Sequence, residues 1–467
     1  MKQKNQLLTL PLLIAICINS TVGIGIFNLP TEFARVSNPI FSVISFIIAG
    51  IGMGTMALTF KNLSDSKENF SSGMVSFIKD GFDEYFSTII SFGYFINTLI
   101  AFVAFFALFT KTFDSIINNA NNNTNPMILF LTASIYLWTI VFIYLGGVKK
   151  VGILSILITF IKFIPIIIIF IFSIIHFNFD LFNVDNVKHI LAGNNETTTI
   201  FSQLSKGIVK CIFCFLGIET LLNLIPNAKN KKDIGKGIVI SVIIAILLYI
   251  TTVILISSNI SQNVLYNSKT PFATVLENSG IAFGSLIIKF TIMFSVMGSI
   301  FVWFLNVINF PYICAIDNIF PKFFLKRNNK DIPTNSLFLS TIFMQILLLL
   351  IFKMDLQNLY SSVGDIASTL SVMVYLITSI YGIKLFLTEK NISKLIIAII
   401  ATIFMIYALI SVGINNILLS IISYIFAIPI FLKTASENNI KLTKENKNKI
   451  YLHLVITLIC IIIFILK

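Results

Sequence analysis

A chain of 467 residues that is 57% hydrophobic and 11% charged, with 46 phenylalanines and a mean hydropathy of +0.94, carries more apolar surface than a single soluble core could bury. That composition excludes a soluble domain and places the chain in a membrane. A formal net charge of +13 would suggest a nucleic-acid partner in a soluble protein, so its distribution among the loops decides what it means.

Apolar runs of about 20 residues read as spans. They predict thirteen, near 8–36, 39–60, 86–110, 126–145, 151–176, 201–226, 237–258, 281–316, 336–352, 361–387, 394–413, 415–432 and 450–466. No small-residue cleavage site follows the N-terminal MKQKNQ, so the first run reads as a retained helix and not a signal peptide. Counted from an inside N-terminus, the loops after even-numbered spans hold Lys61, Lys67, Lys79, Lys149, Lys150, Lys229, Lys231 and Lys232, and a further set between Lys322 and Lys394. The opposite loops hold little beyond Arg35, Lys111, Lys188, Lys269 and Lys353, and are rich in asparagine instead. Positive charge gathered on one side marks the cytoplasmic face. The excess charge therefore reports a multi-pass protein of the cytoplasmic (inner) membrane with its N-terminus inside, in contact with lipid and with no nucleic acid.

The first span contains INSTVGIGIFNLPTEF, Ile18 to Phe33. Backbone polar groups in hydrocarbon need internal partners, so a break in a spanning helix survives only where protein or a water-filled cavity satisfies the freed groups. Gly23 and Gly25 can leave helical dihedrals cheaply, and Pro30 suits the first turn of a new helix. The expectation is a half-helix ending near Ser20, an unwound stretch around Val22 to Ile26, and a second half-helix starting near Phe27 to Leu29. A phosphate-binding loop fits poorly, because Asn28 stands where the third glycine should be and no strand precedes it.

In the fifth span, Lys162 lies about eleven residues inside the run, roughly 16 Å deep at 1.5 Å per residue. An ammonium there must face the bundle and find acceptors, or pass its proton on as a carrier would. The sixth span is interrupted like the first, in FCFLGIETLLNLIP, with Gly217 and Glu219 at its middle and Pro226 near its end. Glycines also let helices pack closely, so one Gly-x-Gly decides little. Two breaks in corresponding positions, each beside polar or charged residues, point to a cavity. Because an odd number of spans separates the two starts, spans one to five and six to ten would run in opposite senses as inverted repeats, an arrangement in which paired interruptions mark the binding site of secondary transporters.

Helix ends set the chemistry of such a gap. Free N–H groups at the start of a half-helix suit a carboxylate, and free carbonyls at the end of one suit a cation. Amides near Gly23, Ile24 and Gly25 would take a carboxylate, and carbonyls near Phe215 and Leu216 an ammonium. A ligand carrying both charges close together is an amino acid. Glu219 is expected to be the only carboxylate this deep, either coupling protonation to gate movement or capping the amides of Leu221 and Leu222. Lys210 and Lys289 lie nearer helix ends and are expected to snorkel outward. Cys17, Cys211, Cys214, Cys314 and Cys460 all fall in apolar runs and read as packing, and the isolated His176, His189 and His453 lack metal-ligand spacing.

At these residues the sequence resembles the amino acid–polyamine–organocation transporters, and within them the basic amino acid/polyamine antiporter branch. The matching segments are TVGIGIFNLP, FLGIETLLNLIPNAKNKKDIGKG and WFLNVINFPYICAIDNIFPKFF. The resemblance implies that Gly23, Gly25, Gly217 and Ile218 lie in two unwound segments that hold the substrate's backbone atoms. It places Trp303 where a tryptophan of that branch stacks on substrate and occludes it, and Lys162 where some sodium-independent relatives let an ammonium fill a cation site. Two positions depart from the branch: Asn309 replaces a glutamate of the eighth helix, and Phe102 replaces an asparagine of the third. The first change removes an acid and the second a polar group where a cationic side chain would be recognised, so a neutral amino acid competes with arginine, lysine or ornithine.

The expected fold is an all-α polytopic membrane protein with inverted five-helix repeats (LeuT-like), broken helices one and six, and about three accessory C-terminal helices. A transport core would occupy 1–388 and accessory helices 389–467, with a polar cytoplasmic linker at 434–448. The expected function is secondary transport of amino acids, as an antiporter exchanging an amino acid for another or for its amine, with no cofactor, no metal and no enzymatic activity. Proton-coupled uptake and a non-transporting amino acid receptor on the same scaffold are the alternatives.

Overall fold

The apolar runs of the sequence are helical in the structure, a computed structural model that describes residues 8–22, 25–66, 73–118, 124–146, 148–182, 189–190, 197–330, 332–351, 356–440 and 442–466. The first half of the chain forms α1 (Leu10–Thr21), α2 (Gly25–Ala34), α3 (Pro39–Ser66), α4 (Met74–Gly81), α5 (Glu84–Ile117), α6 (Pro126–Leu145), α7 (Val148–Ile175) and α8 (Phe179–Phe182). Two strands of two residues, β1 (His189–Ile190) and β2 (Thr197–Thr198), pair antiparallel before α9 (Ile200–Cys214) and a 3-10 segment, Ile218–Asn227. There follow α10 (Lys232–Ser257), α11 (Gln262–Asn267), α12 (Pro271–Asn278), α13 (Ala282–Ile316), α14 (Thr334–Ile351), α15 (Leu356–Thr388), α16 (Ile392–Ser411), α17 (Ile414–Ser423), α18 (Ala427–Glu437) and α19 (Lys444–Leu466).

Among the described residues, eleven helical stretches are long and apolar enough to cross a membrane, and the shorter apolar helices Ile161–Ile175 and Thr334–Leu350 fall on the two remaining predicted spans. Local chemistry sets several helix starts. Asp83 accepts the Phe86 N–H at 3.0 Å, Thr199 the Ser202 N–H at 3.2 Å, and Asn38 the Phe41 N–H at 2.8 Å just before Pro39 opens α3. Outward residues such as Phe142, 70% exposed, and Ile171, 57% exposed, belong on a surface that meets lipid. The two interrupted spans sit inside: α1 packs on α10, the 3-10 segment and α13, while α9 packs on α3 and α15.

The polar ends of the helices depart from the sequence reading. The third span runs to Ile117 and not 110, which places Lys111 inside the helix and only 2% exposed, its ammonium 2.9 Å from the Asn28 side-chain oxygen. Asp114, one turn on, pairs with Lys269 at 2.8 Å from the segment between α11 and α12. Hydropathy ends the span where charges begin, but here the charges are covered and paired. Lys210 does not snorkel, being 8% exposed and 2.7 Å from Asp365, whereas Lys289 reaches the exposed Glu277 at 2.6 Å, ahead of the start of its own helix. Parting the buried Lys210 pair would leave a charge without a partner, which keeps that ammonium inside.

The C-terminal linker is shorter than 434–448. Helix α18 continues to Glu437, whose carboxylate accepts the Lys322 N–H at 2.6 Å, and α19 resumes at Lys444. Helix α19 rests on the start of α5, with the Tyr85 hydroxyl 2.8 Å from His453 Nδ1 and Lys449 3.2 Å from Asp83.

Candidate functional site

Helix α1 ends at Thr21, and its cap residue Val22 gives its N–H to Ile18 O at 2.8 Å with ψ turned to 42°. The chain is helical again from Gly25. The interruption therefore spans at most Val22 to Ile24, shorter than the expected stretch to Ile26, and Gly23 and Ile24 lie outside the described residues. The new helix also starts earlier than expected, so Pro30 sits a turn inside α2 and not in its first turn. Gly25 packs against the end of the other broken helix: a Cβ added there would meet Cys214 Sγ at 3.3 Å.

That second helix, α9, stops at Cys214. Phe215 closes it by donating to Cys211 O and Ile212 O, and Gly217 takes φ +104°, ψ −7° before the 3-10 segment begins at Ile218. Only glycine adopts this left-handed conformation without cost, and space demands it as well. An added Cβ at Gly217 would lie 2.9 Å from Ser20 O and 2.9 Å from a ring carbon of Trp303. The ends of the two interrupted spans thus touch each other, and Trp303 covers the contact.

Three side chains from other helices tend these ends. Lys162 on α7, with no exposed surface, donates to Asn19 O at 2.9 Å and to the Asn19 side-chain oxygen, so a cation faces the carbonyl end of α1. Tyr249 on α10 shares its hydroxyl proton between Thr21 O at 2.8 Å and Cys214 O at 2.7 Å, tying the last carbonyl of α1 to the last carbonyl of α9. Asn306 on α13 donates to the Thr220 hydroxyl at 2.9 Å, which in turn lies 3.1 Å from Ser20 Oγ. Tyr249→Phe removes the shared proton and leaves two buried carbonyls short of a donor, at a cost of about 1 kcal/mol or somewhat more. Purified protein should then melt a few degrees lower, and an unchanged thermal-unfolding curve would show that the hydroxyl ties nothing.

Glu219, 1% exposed, receives the hydroxyls of Tyr94 on α5 and Tyr375 on α15, each at 2.6 Å, and the Gly217 N–H at 3.1 Å. Its carboxylate thus closes a three-way joint between α5, α15 and the break, and the bonds are to these groups and not to the expected amides of Leu221 and Leu222. Glu32 on α2 is also buried, at 5% exposed, but lies two residues before the end of its helix. Trp303 donates its indole N–H to Thr98 O at 3.3 Å and lies edge-on to Phe105, with ring centroids 5.4 Å apart. Phe102 is fully buried between Phe106 and Phe304, while Asn309 is half-buried.

The structure therefore brings Val22, Gly25, Phe215, Leu216, Gly217, Ile218, Glu219, Lys162 and Trp303 to one region around the two helix ends. Sequence reasoning missed Tyr249, Tyr94, Tyr375 and Asn306. A tyrosine in an apolar run carries no periodicity or motif that announces where its hydroxyl goes.

Comparison with known proteins bears on the same region. The profile of the family described as "Amino acid permease" matches residues 8–417, from the start of α1 into α17. The chain is similar to an arginine/ornithine antiporter of Pseudomonas aeruginosa, 26% identical over 449 residues that cover 93% of this chain and 92% of that one. It is also similar to an arginine/ornithine antiporter of Lactococcus lactis, 26% identical over 88% of this chain and 81% of the other. An arginine/agmatine antiporter of Chlamydia pneumoniae is 25% identical over 79% of this chain and 76% of its own.

Proposed function

The chain belongs to the amino acid permease family, a membrane protein of many spans, and on that premise we propose that it exchanges one amino acid for another, or for the corresponding amine, by alternating access. The observation that carries this reading is the meeting of two interrupted helices at Gly217 and Ser20, beneath Trp303. Amides near Gly23, Ile24 and Gly25 would hold the substrate carboxylate. Carbonyls at Phe215 and Leu216, with Val22 and Ile218 alongside, would hold its ammonium. Lys162 would serve at the end of α1 as a proton carrier or as a surrogate for a bound cation.

Arginine, ornithine and their amines are the first substrates to test, following the names of the relatives above. The rings of Phe105 and Trp303 support this choice, because aromatic faces hold a guanidinium or ammonium without an acid. Access would alternate as the broken helices move against the rest. On the side from which the chain starts, the Lys229 N–H bonds Leu8 O at 2.8 Å and joins α1 to the end of the 3-10 segment. The lysine-rich loops support a cytoplasmic location for that side, in a cell whose cytoplasmic membrane would hold the protein.

Counterflow in proteoliposomes tests the proposal. Labelled arginine should enter only vesicles preloaded with unlabelled arginine or ornithine. Accumulation in empty vesicles under a proton gradient would favour proton-coupled uptake, and binding without movement of label would favour a receptor. In the same assay, Trp303→Ala should slow exchange about tenfold, the scale of one desolvated aromatic contact with a cation. Unaltered kinetics would remove the tryptophan from the gate.

A further inference from the structure

Beyond the break, on the face opposite the chain's start, α2, α9 and α15 bring three charged side chains together. Lys210 Nζ lies 2.7 Å from Asp365 Oδ1 and 3.5 Å from Glu32 Oε2. The other Glu32 oxygen accepts the Asn28 amide at 3.0 Å and has the Arg35 guanidinium at 3.7 Å. Glu32 and Lys210 are both more than nine-tenths buried. A cavity of about 10 Å³, close to the size that admits one water, runs from these three groups down to Gly25 and Cys214, where α2 starts and α9 ends. The cluster therefore stands at the mouth of the gap.

A buried ion cluster is costly to take apart, because each separated charge is left without a partner. An incoming zwitterion alters that cost: its carboxylate can take the ammonium while its own ammonium satisfies the carboxylate just vacated. Two acids around one lysine suit such a replacement, since Lys210 can leave Asp365 and keep Glu32. Asp365, whose side chain is 29% exposed, is the group an arriving ligand meets first.

We propose that Glu32, Lys210 and Asp365 form an outer subsite for zwitterionic amino acids, where the substrate carboxylate pairs with Lys210 and its ammonium or cationic side chain with Asp365 before it moves to the helix breaks. The inference rests on the transporter reading and locates a second ligand position within it.

Stopped-flow fluorescence tests it without transport. The chain has two tryptophans, and in a Trp138→Phe background Trp303 reports arrival of ligand at the breaks. With L-arginine and L-alanine as probes, Lys210→Gln should lower the association rate constant about tenfold, as loss of a guiding charge does, while the equilibrium Kd shifts less than threefold. Lys210→Arg should restore fast association. If Lys210→Gln folds poorly, the charge-balanced pair Lys210→Met with Asp365→Asn should show the same slow association. An association rate that is unchanged or faster in these variants overturns the subsite and leaves the cluster as a lock. Absence of quenching by either probe in the protein with Lys210 intact would instead overturn the reading of the gap as an amino acid site.

Discussion

Lys162→Met is expected to cut exchange about a hundredfold or more while the protein still folds and reaches the membrane. The ammonium has no exposed surface, and it donates to the Asn19 carbonyl and side-chain oxygen at the end of α1. Hydrogen bonds to a charged group contribute about 1.5–3 kcal/mol each, so two of them amount to roughly 3 kcal/mol or more, which is a factor of about a hundred. Methionine fills the volume and offers no donor. The loss falls on one joint: α7 would no longer hold the end of the half-helix that must move. Counterflow measures the rate, and thermal unfolding separates a folding defect from a functional one. If the ammonium stands in for a monovalent cation, added sodium should recover part of the exchange in the methionine variant. If it carries a proton, the pH dependence of exchange should flatten. Unreduced exchange with an unaltered pH profile would remove Lys162 from the mechanism.

What the sequence revealed was what a residue costs when considered alone. Glycines amid polar residues in an apolar run are expensive in lipid, so the breaks just before Gly25 and at Gly217 are legible in the sequence, as is a lysine as deep as Lys162. Pairings across the chain are not. Lys210 read as a residue that would snorkel because its carboxylates, Glu32 and Asp365, are more than 150 positions away in either direction. Lys111 read as a loop residue because hydropathy cannot register that Asn28 waits beside it. Helix form was also hidden: the continuation of the sixth span is a 3-10 segment, Ile218–Asn227, much longer than such segments usually run. It lies where Glu219 draws two tyrosines and the Gly217 N–H together, and tertiary bonds of that kind outweigh local propensity. The departures at Phe102 and Asn309 were legible as substitutions, but the aromatic cluster that encloses Phe102 is a product of packing.

Gly217→Ala should abolish exchange, and for two separable reasons. At φ +104° an alanine pays a backbone penalty of about 1–3 kcal/mol. Its Cβ would also stand 2.9 Å from Ser20 O, 3.0 Å from Ser20 C and 2.9 Å from a ring carbon of Trp303. The ring can swing aside, but the Ser20 backbone cannot yield so readily, since Asn19 O is held by Lys162 and Thr21 O by Tyr249. The broken helices would be pushed apart where they meet. A second substitution distinguishes the two contacts: Trp303→Phe in the alanine background relieves the ring and leaves the backbone clash, so exchange should stay lost. Recovery of exchange in that double variant would mean that the tryptophan alone sets the limit. Normal exchange in Gly217→Ala itself would mean that the touching helix ends are not where the substrate is held.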